Sequence, residues 1–250
     1  MKKYRKKVIS VFALFAILAG SICFYLSFKY NGSPLMMNNQ NKEFFVENTE
    51  KEEEENVPEG VTYKSPINFE ALREKNKDVI AWIRIPDTNI DYPIVWNGDN
   101  EYYLYHNFEG KEARGGAIFL DMDDKPDLSL KHNIVYGHNM KNKSMFQSIT
   151  RFKEKDFFDK NRDIYIYTPE KEYHLKTITA MYTDAGADKR QTLFDDEKEL
   201  SVYMEEMTKQ ASFRELPSGD IDNLWSFITC SYEFDDARTV LYAYEVKEGQ

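Results

Sequence analysis

Cysteine is nearly absent from this chain: among 250 residues it occurs only as Cys23 and Cys230. Because Cys23 lies in an apolar run near the N-terminus, the rest of the chain holds a single thiol and cannot form an internal disulfide. The spacings Cys-x-x-Cys and His-x-x-x-His are also missing, which argues against a zinc site. Glycine motifs that bind phosphate groups are absent as well. We therefore expect neither a metal ion nor another cofactor.

Positive charge is also in short supply. The chain has 33 Lys and Arg residues against 43 Asp and Glu residues, a formal net charge of −10. Five of the basic residues stand within residues 1–7, so the remainder of the chain is more acidic still. A domain of negative charge argues against nucleic acid as a partner, because it repels the phosphate backbone.

Charge of either sign is missing from residues 8–28, which read VISVFALFAILAGSICFYLSF. As a helix, this run would span roughly 30 Å, the thickness of the apolar core of a bilayer. The basic residues 1–7 before it predict a cytoplasmic N-terminus and an extracytoplasmic remainder. A cleaved signal peptide has a shorter apolar region, and a lipoprotein signal has a small residue where Ile22 precedes Cys23. We therefore expect an uncleaved, single-pass anchor in the cell membrane.

The chain after the anchor divides into a linker and one domain. Residues 29–64 have few apolar positions and include the charge run KEEEEN at 51–56, which predicts an acidic, flexible linker. Residues 65–250 are enough for one domain with a proper core. Ser65 and Pro66 resemble the first residues of a short helix, as an N-cap followed by proline.

The domain has the pattern of a mostly β protein. Eight short segments, apolar or alternating and bounded by turn residues, predict strands: 79–86, 89–96, 115–121, 133–137, 163–168, 172–183, 224–230 and 239–246. Their short connections favour a β-barrel or a β-sandwich. One long helix is predicted over 195–213, where Asp196 and Glu199 have the spacing of a capping box. Its apolar stripe, expected to pack in the core, consists of Leu200, Met204, Met207 and Ala211.

The lone thiol of Cys230 is the first candidate for chemistry. A thiol is a nucleophile only as thiolate, so it needs a base or a positive neighbour. Arg238 follows after a seven-residue loop, and both side chains could point into one cleft. Among the four histidines, His138 is favoured as the base because it follows a strand and a glycine. The others read as ordinary polar positions: His106, His132 and His174. The plain alternative is an inert, buried cysteine.

Four aspartates cluster in DMDDKPD, residues 121–127. The segment lacks the glycine and the closing glutamate of a calcium-binding EF-hand loop. We therefore interpret it as a solvated turn without a metal.

Several segments together resemble a known family. SFITC at 226–230 is similar to the sortase signature Thr-Leu-x-Thr-Cys, in which an arginine begins the following strand, and IVYGHNM at 134–140 is similar to the sortase histidine segment. Ser226 and Phe227 depart from the signature, which puts in question the shape of the groove and not the chemistry. Three further segments resemble class B sortases in particular: WIRIPDTNIDYPIV (82–95), DNEYYLYHNFEG (99–110) and GGAIFLD (115–121).

The resemblance implies an eight-stranded barrel and a membrane-bound cysteine transpeptidase of Gram-positive bacteria. Such an enzyme cuts a sorting signal of the Pro-x-Thr type in a secreted protein after threonine. It then joins the threonine to an amine of a lipid-linked cell-wall precursor.

The resemblance also implies roles for individual residues. Cys230 would be the nucleophile, His138 the acid and base, and Arg238 the donor to the oxyanion or to the substrate backbone. Candidates for lining the substrate groove are Tyr182, Thr229 and Ser231. Two alternatives stay open at this point: a cysteine endopeptidase that uses water as acceptor, and a membrane-tethered β-barrel binding module with an inert cysteine.

Overall fold

Eight strands pair edge to edge into a closed barrel in the computed structural model, which describes residues 42–45 and 63–246. Around the barrel the order is β1-β2-β3-β4-β7-β8-β6-β5. The strands are β1 (Val79–Arg84), β2 (Asp91–Val95), β3 (Ile118–Leu120), β4 (His132–Tyr136), β5 (Asp163–Tyr167), β6 (Glu172–Thr183), β7 (Leu224–Cys230) and β8 (Arg238–Glu245). Each lies within or next to a predicted segment, so the predicted eight-stranded barrel is confirmed.

Short helices fill the connections. The α-helices are α1 (Phe69–Lys75), α2 (Tyr102–Tyr105), α3 (Lys155–Lys160) and α4 (Glu197–Thr208). Single turns of 3₁₀ helix occur at Lys42–Phe44 and Ala187–Arg190, and a longer one at Gln147–Lys153. The first helix begins later than predicted, because Asn68 and not Ser65 is its cap: Asn68 Oδ1 accepts a hydrogen bond from Ala71 N at 3.0 Å.

The long helix before the cysteine strand is α4. Asp196 caps it as predicted, with its carboxylate accepting from Glu199 N at 2.8 Å. Leu200 is buried as predicted, but the helix ends at Thr208, so Ala211 lies beyond it and the predicted stripe is too long by a turn.

The strands separate two apolar layers. On β7, Trp225 and Phe227 belong to the cluster inside the barrel, whereas Leu224 and Ile228 belong to an outer cluster. This alternation follows from the two-residue period of a strand. Leu200 of α4 is part of the outer cluster, so the helix covers the outer face of the barrel. Cys230, two residues after Ile228 at the end of β7, lies on the same outer face.

Strand register brings the candidate residues to one end of the barrel. β4 and β7 are parallel, and Tyr136 pairs with Ile228. His138 and Cys230 each lie two residues farther along, so they leave the sheet at the same end. β7 and β8 are antiparallel, and Cys230 pairs with Arg238.

Two aromatic residues of the predicted linker, Phe44 and Phe45, pack against the barrel. Phe44 is buried, and its carbonyl accepts a hydrogen bond from Asn68 N at 2.8 Å. Phe45 forms an edge-to-face contact with Trp82 of β1, with ring centroids 5.6 Å apart. Burial of these two neighbouring aromatic rings therefore holds the short segment against the domain.

The predicted basic tail (1–7) and anchor (8–28) lie outside the described residues, as does most of the predicted linker (29–64). Within residues 42–45 and 63–246, none of the helices has the length and apolar character that crossing a membrane requires.

Candidate active site

Cys230 is the last residue of β7 and is partly exposed, with a free thiol. Its backbone is held from the side: Asn139 Nδ2 donates a hydrogen bond to the Cys230 carbonyl oxygen at 2.9 Å. Asn139 follows His138 directly, so this bond ties the histidine segment to the cysteine strand beyond the last residues of their parallel pairing.

Arg238 begins β8 directly opposite Cys230. The loop between them is closed by Ser231 N, which donates to the carbonyl of Ala237 at 3.0 Å. Arg238 Nη1 donates to the carbonyls of Asp236 and Ala237 at 3.0 and 3.1 Å. Paired residues of neighbouring strands share a face of the sheet, so the thiol and the guanidinium lie on the same side, as predicted.

His138 follows β4 after Gly137, whose N donates to the Ile228 carbonyl at 3.1 Å and so continues the pairing of β4 with β7. His138 Nε2 lies 2.8 Å from the carbonyl oxygen of Leu104 in α2. A carbonyl oxygen only accepts, so Nε2 carries the proton of this bond. The site thus consists of His138, Cys230 and Arg238 at one end of three adjacent strands.

The other histidines are occupied elsewhere. His132 was predicted to be an ordinary polar position, but it is the fully buried first residue of β4. Its ring is bonded to the Ser226 hydroxyl and the Gln191 carbonyl, both at 2.7 Å. Burial lowers its pKa to about 4, although the bond to Gln191 opposes the shift, so the ring stays neutral. His106 stacks on Tyr102, and His174 bonds to Asp163.

The register places two predicted groove residues, Thr229 and Tyr182, one position out of step with Cys230 and Thr183, the partners of Arg238. Thr229 of β7 and Tyr182 of β6 both pair with Thr239 of β8, and paired residues lie on the same side. Thr229 is buried and directly precedes Cys230 in β7. Successive side chains of a strand point to opposite faces of the sheet, so Thr229 does not share the face of the thiol. Tyr182 is exposed, but it is likewise out of step with the residues that pair with Arg238.

Ser231 and Thr183 each adjoin one of the candidate residues. Ser231 is buried directly after the cysteine. Thr183, which sequence reasoning missed, pairs with Arg238 and is its neighbour on β6. The sequence of β6 shows that successive residues alternate between the two faces of the sheet. Only the register between β6 and β8 shows that Thr183, and not the residue before it, pairs with Arg238.

A cleft lies beside the cysteine, between the 3₁₀ helix Gln147–Lys153 and the loop after β7. It is lined by Asn139, Thr150, Lys153, Ser231, Tyr232 and Glu233. Lys153 and Glu233 form an ion pair across it. Burial opposes ionisation of Glu233, but the hydrogen bond and the charge of Lys153 oppose it in turn, and the pKa of Glu233 falls to about 2. The cleft therefore carries a fixed carboxylate and a fixed ammonium group within reach of the site.

The acidic segment 121–127 differs from the predicted solvated turn, because Asp121 and Asp124 are buried. Arg190 forms a bidentate salt bridge with Asp121: Nε donates to Oδ2 at 2.9 Å and Nη2 to Oδ1 at 2.8 Å. Burial opposes ionisation of Asp121, but the Arg190 bonds lower its pKa. In the described part of the chain, no group of three or more His, Cys, Asp or Glu residues is arranged to hold a metal ion.

Residues 83–246 match the sortase domain family. The chain is 31% identical to sortase B of Listeria monocytogenes over 165 residues, which cover 66% of this chain and 67% of that protein. The X-ray structure of Clostridium perfringens sortase B is 30% identical, with a TM-score of 0.67, and the match covers 72% of this chain and 100% of that one. A sortase B complexed with triglycine has the same fold, at 24% identity and a TM-score of 0.66, with 73% of this chain and 86% of that one covered.

Proposed function

Because this chain belongs to the sortase family, and within it to the class B sortases, we propose that it is a membrane-anchored cysteine transpeptidase that attaches secreted proteins to the cell wall. Its substrate would be a C-terminal sorting signal of the Pro-x-Thr type, cut after threonine. Its acceptor would be a primary amine of a lipid-linked cell-wall precursor. A glycine peptide such as the triglycine bound to a related sortase B presents an amine of this kind.

The first half of the reaction would transfer the acyl group to the enzyme. The thiolate of Cys230 attacks the threonine carbonyl carbon, and a tetrahedral oxyanion forms. His138 as imidazolium gives its proton to the leaving amine, the C–N bond breaks, and a thioester remains. The guanidinium of Arg238 donates hydrogen bonds to the oxyanion or to the substrate backbone, for which a planar fork is suited.

The second half would transfer the acyl group to the acceptor. The incoming amine attacks the thioester and loses a proton to His138, and the C–S bond breaks to return the thiolate. Water in place of the amine would give a cysteine endopeptidase.

The observation that carries this proposal is the strand register. Cys230 pairs with Arg238, and His138 follows the neighbouring parallel strand by two residues, as Cys230 follows Ile228. This arrangement at one end of the barrel supports a shared role for three side chains of complementary chemistry.

A peptide library x-Pro-x-Thr-x, incubated with the enzyme and an amine acceptor, tests the reaction. We expect a ligated product that contains the residues up to threonine. Cleavage without ligation for every acceptor tried would indicate the endopeptidase instead. Labelling by a thiol-reactive probe that is unaffected by Cys230→Ala, together with no cleavage, would indicate a binding module.

The proposed location has its own test. An apolar segment after a basic tail supports a cytoplasmic N-terminus and an extracytoplasmic domain. Protease added to intact protoplasts should remove residues 65–250. Full protection of the domain until the cells are lysed would contradict this topology.

A further inference from the structure

The backbone of α2 offers four carbonyl oxygens, and each has one identified partner. Those of Tyr103 and Tyr105 accept from the backbone N–H groups of Ala117 and Ala113, at 2.9 and 2.8 Å. That of Tyr102 bonds to the ring of His106 at 2.8 Å. The remaining carbonyl, of Leu104, is aimed at His138 Nε2 at 2.8 Å. In the described chain, this is the only hydrogen-bond partner of the His138 ring.

We propose that the Leu104 carbonyl sets the tautomer and orientation of the catalytic imidazole of His138, and that Gly116 is the positioning residue that keeps this carbonyl in place. The first part follows from hydrogen-bond chemistry. A carbonyl holds a proton on Nε2, so the neutral ring has its lone pair on Nδ1. In many nucleophile–base pairs a carboxylate orients the base. In this protein a backbone carbonyl oxygen has that role for His138.

Gly116 is the residue that lets α2 approach so closely. Its φ is +56°, a conformation that favours glycine, and a Cβ there would lie 2.8 Å from the Leu104 oxygen and 2.4 Å from the Tyr103 oxygen. Both atoms are backbone, so they can yield only if α2 moves. A side chain at residue 116 would therefore displace the very carbonyl that holds His138.

Gly115 provides a matched control. A Cβ at Gly115 would meet only the side chains of Met140 and Met145, both at the ordinary contact distance of 3.8 Å. The same Gly→Ala change one residue earlier thus leaves α2 untouched.

This inference rests on the proposed function, and it fixes the path of the protons. Once the Cys230 sulfur has bonded to carbon, the C–N bond breaks and the leaving amine takes the proton of Nδ1, which is left with a lone pair. The proton of the incoming amine returns to Nδ1 as the C–S bond breaks. The proton on Nε2 stays there in both halves, donated as a hydrogen bond to the Leu104 oxygen.

The first experiment needs no substrate. The full chain is labelled with ¹⁵N-histidine and studied by NMR in detergent micelles. At a pH where the ring is neutral, the chemical shifts of the two ring nitrogens of His138 show which one carries the proton. The signals that disappear in His138→Gln are those of His138. We expect the proton on Nε2. A proton on Nδ1 would overturn the proposal, whatever the enzyme does with a peptide.

The second experiment compares Gly116→Ala with Gly115→Ala. In Gly116→Ala we expect mixed tautomers and a fall in kcat/KM of about ten- to a hundredfold, mostly in kcat, with an altered pH profile. Gly115→Ala should stay within about twofold of the wild type. A folded Gly116→Ala enzyme with the wild-type tautomer and rate would remove Gly116 from this role.

A third variant covers the case in which Gly116→Ala does not fold. Asp99 is exposed and accepts hydrogen bonds from the N–H groups of Glu101 and Tyr102, so it fixes the start of α2. Asp99→Ala should mix the His138 tautomers, and an unchanged tautomer would contradict positioning by α2. An active His138→Ala enzyme, in contrast, would contradict the proposed function and leave the tautomer result intact.

Discussion

Arg238 rests on the backbone of its own loop in the free protein. Its Nη1 bonds to the carbonyls of Asp236 and Ala237, and no other hydrogen bond of its guanidinium is found within the described chain. The other N–H groups of the planar fork therefore remain for a substrate, while Nη1 holds the fork in place. Lysine keeps the charge but lacks the planar fork, so it cannot present the same pair of N–H groups to a substrate while it is held by the loop.

Arg238→Lys should therefore lower kcat/KM by about 10²–10³-fold, the scale of one lost oxyanion-hole donor. Cys230→Ala should abolish the acyl-enzyme and His138→Ala should nearly do so. The measurement is kcat/KM on one cleaved peptide, with circular dichroism to verify folding. Arg214→Lys, at an exposed position outside the site, is the control and should be unchanged. A folded Arg238→Lys enzyme within threefold of the wild type would exclude the proposed role.

At the scale of an element, the turn after β3 buries a carboxyl group without full hydrogen bonding. Asp124 Oδ2 accepts from Ile134 N at 2.8 Å, and Oδ1 has no partner among the described residues. Burial raises the pKa of Asp124 to about 8, and the charges of Asp121 and Asp123 add to the shift. The folded chain thus keeps a proton there that the unfolded chain loses near pH 4.

Because the folded chain binds this proton more tightly, stability should fall as pH rises from about 4 to about 8. Asp124→Asn removes the titration, so its Tm should fall less than that of the wild type between pH 6 and pH 9. Asp127→Asn, at an exposed position of the same segment, should keep the wild-type pH dependence. Equal losses of Tm in the wild type and Asp124→Asn would show that Asp124 is ionised in the folded chain.

Local patterns predicted the strands, the α4 cap and the positions of Cys230, Arg238 and His138 at or just beyond strand ends, because alternation, capping and strand ends act over a few residues. They could not predict the burial of Asp121 or His132, whose partners Arg190 and Ser226 lie 69 and 94 residues away. The contact of His138 with a backbone carbonyl was also hidden, because α2 has four residues and a carbonyl oxygen has no side-chain signature.

On the scale of the whole molecule, a segment N-terminal to the predicted domain boundary contributes to the core of the domain. The rings of Phe44 and Phe108 meet edge to face at 6.2 Å, and Lys75 Nζ lies 4.4 Å from the centroid of the Phe44 ring. Phe44 also belongs to the buried cluster that contains Trp82 and Val79 of β1. A chain that starts at residue 65 therefore lacks part of its own core, although all eight strands are present.

We expect a protein of residues 42–250 to have a free energy of unfolding about 2–4 kcal/mol higher than one of residues 65–250. This is somewhat less than the usual cost of a buried Phe→Ala change, because ordering the segment costs conformational entropy. For a domain of this size, that corresponds to a Tm higher by roughly 5–15 °C. In the longer chain, Phe44→Ala should lose most of this difference. Glu43→Ala removes only an exposed ion pair with Lys75 and should cost less than about 1 kcal/mol. Thermal unfolding of the four proteins by circular dichroism measures all of these differences. Equal Tm values for the two lengths would mean that Phe44 does not stay on the barrel in solution, and the domain would then begin where the sequence alone placed it.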